Sequence, residues 1–317
     1  MLSSPEIFVI NLDRSPERLE QFRHVNSHLL PHVTRFTAVD GKTVNHATLL
    51  EQGIFAEPIF SSAGSIGNTL SNRKLWSIVA ARSNYITIFE DDAIIHRNFL
   101  ALAPAMIEEL PNDWDIVLWG WNFDAPMSYD ILRNVSCLAR FSQSDLRQHW
   151  TTLQNETISP ALHRLHYAFG TVAYSISPAG AKKLLARAFP IKPFFYQHSK
   201  HAIEIENPTI DYTLTTLYDS LNAYVSVPPL VLTKNEHGSS TVRDDWRQRR
   251  FWRIRRIKQS LLGTAPLPPD ESGFRLTRAT DYPNSRKYTR KMAHYLYSKG
   301  DKSRAVRLYL KHLFMRR

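Results

Sequence analysis

Strand-like and helix-like segments alternate along the first 240 residues, and this alternation constrains the fold more than any other feature of the sequence. Residues 6–12 are predicted to form a buried strand, after which Ser15 caps a helix that begins at Pro16. The β-branched and aromatic residues 85–89 predict another strand. This order of elements predicts an α/β fold, in which helices flank a sheet.

The remaining elements follow the same pattern, with one unclear stretch. Residues 122–165 show no usable periodicity and are predicted to form a long excursion over the surface. Further strands are predicted over residues 33–39, 115–119, 169–177, 223–227 and 230–233, and further helices over residues 66–82, 99–110, 178–188 and from about 209.

Positive charge is concentrated at the C-terminal end of the chain. Residues 241–317 contain 21 Lys and Arg against 6 Asp and Glu, whereas residues 1–240 contain 19 against 23. A basic helix is predicted over residues 246–262, followed by a Pro-rich linker. We therefore expect a domain over residues 1–240 and a basic helical extension over residues 241–317, which meets an anionic surface.

Cysteine content and hydropathy bear on the cellular compartment. The single cysteine, Cys137, cannot form an internal disulfide, and the apolar run over residues 7–10 is too short for a signal peptide. No uncharged apolar stretch approaches the roughly 20 residues that a membrane-spanning helix needs. The sequence predicts a cytoplasmic protein.

Three consecutive acidic residues, Glu90, Asp91 and Asp92, directly follow the predicted strand over residues 85–89. Close carboxylates raise one another's pKa, so holding three together is costly without a cation. Ligands bind at the carboxyl ends of strands in open α/β sheets, and hard divalent cations bind carboxylates together with substrate phosphates. The acidic run therefore indicates a metal site, with a solvated loop as the alternative.

Five sequence blocks occur in order along the chain: VINLDRSPER at 9–18, FTAVDG at 36–41, GSIGNTLSNRKLW at 64–76, IFEDD at 88–92 and GTVAYSISPAGAKKLL at 170–185. Together they resemble glycosyltransferase family 25, the bacterial lipopolysaccharide and lipooligosaccharide glycosyltransferases with a GT-A fold. The extension from residue 241 lies outside the resemblance. The resemblance implies a GT-A-like, Rossmann-type sheet with flanking helices, to which the basic helical extension is appended.

The resemblance also implies an activity. Family members transfer a hexose, often galactose from UDP-galactose, onto a lipooligosaccharide or similar surface glycan, and they invert the anomeric centre with the help of a metal. Glu90-Asp91-Asp92 stands for the Asp-x-Asp motif of such folds. Asp92 would bind Mn²⁺ or Mg²⁺, while Glu90 would face the ribose or a water molecule on the metal. Asp91 belongs to the same nucleotide-sugar site.

Several further residues are expected to contact the nucleotide sugar. Asn11, Asp13 and Arg18 lie where the first strand meets its helix, although Arg18 is equally interpretable as a surface residue. Asp40 is a plausible nucleotide contact by resemblance, although Asp-Gly favours a turn unaided. Gly170 allows close backbone approach, either to substrate or for packing.

An inverting transfer needs a general base to accept the proton of the acceptor hydroxyl. Asp211 is the first candidate because it matches a family acid at the start of the corresponding helix, although an Asp there also interacts favourably with the helix dipole. His237 is a candidate second metal ligand, with an ordinary loop histidine as the alternative. The reserve candidates for the base are Glu204, Glu206 and Asp124.

The sequence departs from the family pattern at three positions, and two other functions stay open. Ser65, Asn68 and Asn72 replace the Glu, Cys and His that the family usually has. These changes keep open a catalytically inactive relative, although all three acids at 90–92 are retained. The pI of 9.7 keeps open a nucleic-acid-binding protein, although the mildly acidic first 240 residues argue against nucleic acid as a partner. The favoured interpretation is a transferase that lies on the cytosolic face of the inner membrane, held at the anionic surface by its basic helix. The alternative for this helix is that its aromatic residues pack onto the domain while its arginines face solvent.

Overall fold

The computed structural model describes residues 6–56, 61–192, 194–198, 201–205 and 209–233. The predicted basic extension over residues 241–317, together with Glu206 and His237, lies outside these residues. None of the helices in the described ranges is both long enough and apolar enough to cross a membrane.

Helices and strands alternate as predicted over most of the described chain, which confirms the α/β class. The strands are β1 (Glu6–Asn11), β2 (Val33–Thr37), β3 (Ile86–Glu90), β4 (Ala93–Ile95), β5 (Ile116–Gly120), β6 (Met127–Leu132), β7 (Val135–Ala139), β8 (Ala161–Tyr167), β9 (Ala173–Ile176), β10 (Phe194–His198), β11 (His201–Ile205), β12 (Ala223–Val227) and β13 (Val231–Thr233). The helices are α1 (Pro16–Val25), α2 (His46–Glu51), α3 (Ala63–Ala80), α4 (Phe99–Glu108), α5 (Gln143–Asn155), α6 (Pro178–Ala188) and α7 (Ile210–Leu217), with 3-10 turns at Ser27–His32 and Tyr218–Ser220.

One large mixed sheet, with the strand order β2-β1-β3-β9-β5-β12-β8-β6-β7, forms the centre of the larger of two compact units. Strand β3 runs parallel to β1 and antiparallel to β9, and β5 is also antiparallel to β9. Strands β1, β3 and β5 therefore point the same way, and their carboxyl ends meet at one edge of the sheet. The segment before β9 reaches that edge too, because β9 runs in the opposite direction.

Successive residues of the central strands pack into two separate hydrophobic clusters, because side chains alternate between the faces of a sheet. In β5, Ile116 and Leu118 join the cluster that contains Trp76 of α3, whereas Val117 and Trp119 join the other cluster. Since helices cover both faces, these strands are apolar along their whole length.

Helix α6 shows how close packing fixes an element against the sheet. The Ser177 hydroxyl caps the helix by accepting a hydrogen bond of 2.9 Å from the Gly180 N–H. A Cβ atom at Gly180 would lie 2.1 Å from the carbonyl oxygen of Asp115, the residue before β5. Glycine at this position therefore allows the first turn of α6 to touch the backbone leading into β5.

The structure corrects two expectations. Residues 122–165 are not a surface excursion, because β6, β7 and β8 extend the central sheet and α5 packs beside β4 and β13. Ser15 precedes α1 as predicted, but its side chain makes no capping hydrogen bond. Its carbonyl oxygen instead accepts a hydrogen bond from the Asn11 side chain, so Ser15 holds the end of β1.

Two short pairings complete the described chain. Strands β4 and β13 pair antiparallel, with Ala93 opposite Thr233. Strands β10 and β11 form an antiparallel hairpin with Phe194 opposite Ile205. This hairpin belongs to a second compact unit, separate from the unit that contains the central sheet.

Candidate active site

The acidic run lies at the sheet edge where the carboxyl ends of β1, β3 and β5 meet. Glu90 is the last residue of β3, and Asp91 and Asp92 form the turn that leads into β4. The Glu90 N–H donates a hydrogen bond of 2.9 Å to the carbonyl oxygen of Val172, in the segment before β9. The prediction that the run ends a buried strand is confirmed by this placement.

Asp91 is held by two side chains from β1 and α1. The Arg18 Nε atom donates to Asp91 Oδ1 at 2.8 Å, and the Asn11 Nδ2 atom donates to Asp91 Oδ2 at 2.8 Å. Burial alone would lower the pKa of Arg18, but the hydrogen bond and the charge of Asp91 outweigh it and raise that pKa. Asn11, Arg18 and Asp91 therefore lie together, and Arg18 neutralises the charge of Asp91. Their contact with a nucleotide stays a prediction.

Asp92 has a different environment from Asp91. Its buried Oδ1 atom has no hydrogen-bond partner among the described residues, and its Oδ2 atom lies 3.6 Å from Arg18 Nη2. Burial and the charge of Asp91 raise the pKa of Asp92, against the opposing effects of Arg18 and Thr233. A buried carboxylate oxygen without a protein donor is suited to a hard cation. The described residues contain no ready-made group of three or more metal-ligating side chains, so Asp92 alone would leave most ligand positions to substrate phosphates, water or residues outside the described ranges.

Glu90 and Asp211 are joined through the hydroxyl of Thr171. The Thr171 Oγ1 atom lies 2.8 Å from Glu90 Oε1 and 3.0 Å from Asp211 Oδ1. Burial, together with the charges of Asp92 and Asp211, raises the pKa of Glu90 to about 8, and burial raises the pKa of Asp211 to about 6. Because one hydroxyl has a single proton, it cannot donate to both carboxylates at once. The fold thus holds two acids close together at the sheet edge.

Threonine side chains fix the start of α7, which contains Asp211. The Ile210 N–H donates to the Thr69 hydroxyl of α3 at 3.3 Å. One turn later, the Thr215 hydroxyl lies 2.8 Å from the carbonyl oxygens of both Ala168 and Asp211. These contacts tie α7 to α3 and to the segment before β9, so Asp211 reaches the edge that carries Glu90.

The comparison with known proteins decides the family. The sequence profile of glycosyltransferase family 25, described as LPS biosynthesis protein, matches residues 4–199. This chain belongs to glycosyltransferase family 25. The family resemblance inferred from the five sequence blocks is therefore confirmed.

Animal members of family 25 are among the similar proteins. Procollagen galactosyltransferase 2 of Mus musculus is 24% identical over 306 residues, which cover 84% of this chain and 44% of that protein. Procollagen galactosyltransferase 1-A of Xenopus laevis is 25% identical over 249 residues, covering 73% and 36%. Inactive glycosyltransferase 25 family member 3 of Mus musculus is 26% identical over 206 residues, covering 60% and 31%. The chain spans less than half the length of each of these relatives.

The positions at which this family 25 chain departs from the family pattern are buried or hydrogen-bonded. The Tyr174 hydroxyl donates to Asn72 Oδ1 and accepts a hydrogen bond of 2.8 Å from Trp76 Nε1. Asn72 Nδ2 donates in turn to Asn68 Oδ1 at 2.5 Å. The Ser65 hydroxyl lies 2.9 Å from that of Ser62, the N-cap of α3. Asn68 and Asn72 therefore belong to one polar network with Tyr174 and Trp76. Ser65 supports the start of α3.

Two predicted nucleotide contacts of this family 25 chain bind arginines. Asp13 forms an ion pair with Arg35, whose Nε atom also donates to Asn11 Oδ1 at 3.2 Å. Asp40 accepts hydrogen bonds from the Lys42 N–H at 2.9 Å and from Arg14 Nε at 2.7 Å, and these two contacts lower the pKa of Asp40. Asp13 thus connects to Asn11 through Arg35, whereas Asp40 makes the turn that its sequence favours.

Gly170 has a close neighbour that sequence reasoning missed. Its φ of +94° is a conformation that glycine favours, and an added Cβ atom would lie 2.5 Å from Asn122 Cγ. The structure therefore gives Gly170 a packing reason through Asn122. Thr171 was also missed, although it directly follows Gly170 in a recognised family 25 block. The sequence gives no local signal for its role, because its hydrogen-bond partners Glu90 and Asp211 are distant along the chain.

Of the reserve candidates for the base, Asp124 and Glu204 lie within the described residues. Asp124 is exposed beyond the end of β5. Glu204 lies in β11, in the second compact unit. Glu206 and the predicted metal ligand His237 lie outside the described residues.

Proposed function

We propose that this family 25 chain is a metal-dependent, inverting glycosyltransferase that moves a hexose, galactose from UDP-galactose, onto a lipooligosaccharide or similar surface glycan. The observation that carries the proposal is the grouping of three acids, Asp92, Glu90 and Asp211, at one sheet edge, where the buried Asp92 Oδ1 atom has no hydrogen-bond partner in the described part of the chain. Two relatives are named procollagen galactosyltransferases, which supports a galactose donor.

In this proposal each residue at the sheet edge has its own role in binding the metal or the nucleotide sugar. Asp92 would hold Mn²⁺ or Mg²⁺, which when bound supplies Lewis-acid stabilisation of the departing diphosphate. Arg18 keeps Asp91 paired and brings positive charge within 3.6 Å of Asp92, where it also favours an anionic substrate. Asn11 anchors the nucleotide side of the site through Asp91. His237 remains the predicted second ligand.

Asp211 acts as the general base in this proposal. It accepts the proton of the acceptor hydroxyl while the acceptor oxygen bonds to the anomeric carbon and the bond from that carbon to the diphosphate breaks. Thr171 positions the carboxylate by its hydrogen bond of 3.0 Å. A carboxylate with a pKa of about 6 is ionised at neutral pH and is more basic than an exposed aspartate, which suits this role.

A donor screen tests the proposed activity. Full-length protein is incubated with Mn²⁺ and a panel of UDP-, GDP-, CMP- and dTDP-sugars, and nucleotide release is measured with and without glycan acceptors. We expect UDP release from UDP-galactose, with faster release when an acceptor is present. Turnover that prefers a different nucleotide, or that is unaffected by removal of divalent cations, would contradict the proposal.

A second candidate is a family member that binds nucleotide sugars without transferring them. It is favoured by the relative named inactive and by the replacements at Ser65, Asn68 and Asn72. The same screen separates the two candidates, because an inactive protein binds UDP-galactose but releases no UDP with any acceptor. Retention of Glu90, Asp91 and Asp92 favours the active enzyme.

We further propose that the protein is cytoplasmic and lies peripherally on the cytosolic face of the inner membrane. The basis is the basic sequence over residues 241–317, which lies outside the described residues. Clustered Arg and aromatic residues in a helix suit an anionic lipid interface. A membrane-embedded glycolipid acceptor would then be concentrated beside the enzyme.

A further inference from the structure

We propose that Asn122, Phe169 and Tyr212 form the subsite that binds the acceptor saccharide. This inference rests on the transferase activity proposed above and identifies the acceptor side of the same site. Three observations carry it: the position of these residues along the sheet edge, the side chain of Asn122, and the ring pair formed by Phe169 and Tyr212.

The order of strands along the sheet edge indicates where the nucleotide end and the sugar end of the donor would lie. Asn11 ends β1, Glu90 ends the adjacent β3, and Asn122 lies two residues beyond the end of β5. Strand β9 lies between β3 and β5, and Thr171 precedes it. If the nucleotide contacts β1 and the diphosphate lies at β3, the sugar and its acceptor extend toward β9 and β5. Asn122 is therefore on the acceptor side.

Asn122 presents an amide group at this edge. Its backbone N–H donates to the carbonyl oxygen of Phe169 at 2.7 Å, which fixes the residue beside Gly170. Its side chain lies over Gly170, where an added Cβ atom would come within 2.8 Å of Nδ2 and 2.6 Å of Oδ1. The side chain is partly exposed and makes no hydrogen bond within the described ranges. An amide has both donors and an acceptor, which suits adjacent sugar hydroxyls.

Phe169 and Tyr212 form an aromatic wall beside the acid pair. Their ring centroids are 4.5 Å apart at an interplanar angle of 58°, and both residues are partly exposed. Phe169 lies two residues before Thr171, and Tyr212 directly follows Asp211, so the ring pair joins the same two chain segments as the hydrogen bond between Thr171 and Asp211. Aromatic rings beside a few polar groups are the usual lining of a small-molecule site.

This arrangement places a saccharide hydroxyl where the proposed reaction needs it. The rings would contact the apolar C–H face of a pyranose, and the Asn122 amide would bind hydroxyls at its rim. The reacting hydroxyl would then face Asp211, which takes its proton as the new glycosidic bond forms and the diphosphate leaves. The recognised acceptor is therefore a pyranoside with an exposed C–H face.

Ligand-observed NMR with defined glycosides tests the subsite. Saturation transfer from full-length protein, in the presence of UDP and the diamagnetic ion Mg²⁺, is titrated with methyl β-galactoside, methyl β-glucoside and methyl N-acetyl-β-glucosaminide. The variants are Asn122→Ala and Phe169→Leu. The matched control is Tyr85→Leu, because Tyr85 contacts Trp114 edge-to-face, with ring centroids 5.5 Å apart, at the opposite edge of the sheet.

We expect at least one glycoside to bind, and both variants to weaken its affinity about three- to tenfold, as loss of one hydrogen bond or ring contact implies. The Tyr85→Leu control should bind like the wild type. No saturation transfer from the wild type to any glycoside, or unchanged affinity in both variants, would overturn the inference. Variants that lower the affinity for UDP, and not the affinity for the glycoside, would also overturn the inference.

Calorimetry with UDP on the same samples separates this inference from the proposed function. A wild type that binds a glycoside through these residues but does not bind UDP would contradict the transferase and leave the saccharide subsite standing. If the wild type turns over UDP-galactose while Asn122→Ala and Phe169→Leu keep the wild-type KM for the acceptor, the transferase is supported and the saccharide subsite is contradicted.

Discussion

At the scale of single residues, Asp92 differs from its neighbours because its buried Oδ1 atom has no hydrogen-bond partner among the described residues. If that oxygen binds the metal, Asp92→Ala should lower the rate of sugar transfer by at least ~10³-fold, because stabilisation of the leaving diphosphate is lost. Radiolabelled transfer from UDP-galactose measures the rate, and a chelator should reproduce the loss reversibly in the wild type.

The control for this prediction is Glu51→Gln, which removes an exposed carboxylate at the end of α2. Its transfer rate should equal that of the wild type, and the melting temperatures of both variants should show intact folding. Near-normal turnover by Asp92→Ala, or by the wild type in excess chelator, would remove Asp92 from the metal site.

Asp211 allows a prediction that separates chemistry from binding. Asp211→Asn retains the shape of the side chain and a hydrogen bond to Thr171, but it cannot accept a proton. We expect transfer to fall by roughly 10²–10⁴-fold while the affinity for UDP-galactose, measured by calorimetry, stays unchanged.

The pH profile gives a second measure of Asp211. Burial raises its pKa to about 6, and only the carboxylate accepts a proton, so wild-type transfer should rise as the pH passes about 6. The described titratable groups around it are Glu90, Tyr174 and Tyr218. Asp211→Asn should lack this rise. Joint loss of donor affinity and rate would instead assign Asp211 to the nucleotide or metal site.

At the scale of elements, Gly180 tests how tightly α6 packs on the sheet. Helix propensity alone predicts that Gly180→Ala stabilises the protein by about 1 kcal/mol. The contact with the Asp115 carbonyl oxygen reverses this sign, because the new Cβ atom would lie 2.1 Å away. We expect a net loss of about 1–3 kcal/mol in the free energy of unfolding, measured by urea denaturation.

The matched control on the same helix is Lys182→Ala, since Lys182 is exposed. It should change the free energy of unfolding by less than about 0.5 kcal/mol. A Gly180→Ala protein as stable as the wild type would show that α6 shifts without cost.

Local sequence patterns predicted the elements whose start is determined by neighbouring residues in the chain. Pro16 begins α1 and Ser177 caps α6 as expected, because both act within their own helix. Strands β6 and β7 were missed although residues 127–131 alternate between apolar and polar side chains. Burial does not follow that alternation, because Met127 and Ser128 are both buried, whereas Leu132 and Val135 are 68% and 49% exposed. The pairing of β6 with β8 and β7, which the local sequence does not encode, gives these strands their place in the sheet.

The candidate site shows the same division between local and distant information. The acidic run at a strand end was predictable because the strand and the acids are contiguous. The role of Thr171 was not predictable, because its partners Glu90 and Asp211 lie 81 and 40 positions away along the chain. Only the antiparallel placement of β9 between β3 and β5 brings that hydroxyl to the acids.

At the scale of the whole molecule, charge is divided between an acidic body and a basic extension. We expect full-length protein to co-sediment with phosphatidylglycerol vesicles, not with phosphatidylcholine vesicles, and to release in high salt. Replacing Arg249, Arg253 and Arg256 with Gln should weaken this binding about 100-fold, since each basic residue contributes about 1 kcal/mol.

The matched control replaces three exposed lysines of the described body, Lys42, Lys74 and Lys182, with Gln. It removes the same charge, so general electrostatic attraction predicts equal weakening of the two variants. Unchanged vesicle binding by the arginine variant would show that the extension is not the membrane contact.

The pairing of Arg18 with Asp91 also bears on how this family can vary. Their side chains are only 17% and 12% exposed, so removal of one partner would leave the other charge poorly solvated and without its counterion. Single replacements at either position should therefore be rare among homologous sequences, whereas joint replacement by two uncharged residues leaves no buried charge and is tolerable for folding. An alignment of bacterial family members would reveal this as covariation between the two positions, and independent variation would show that neither residue constrains the other.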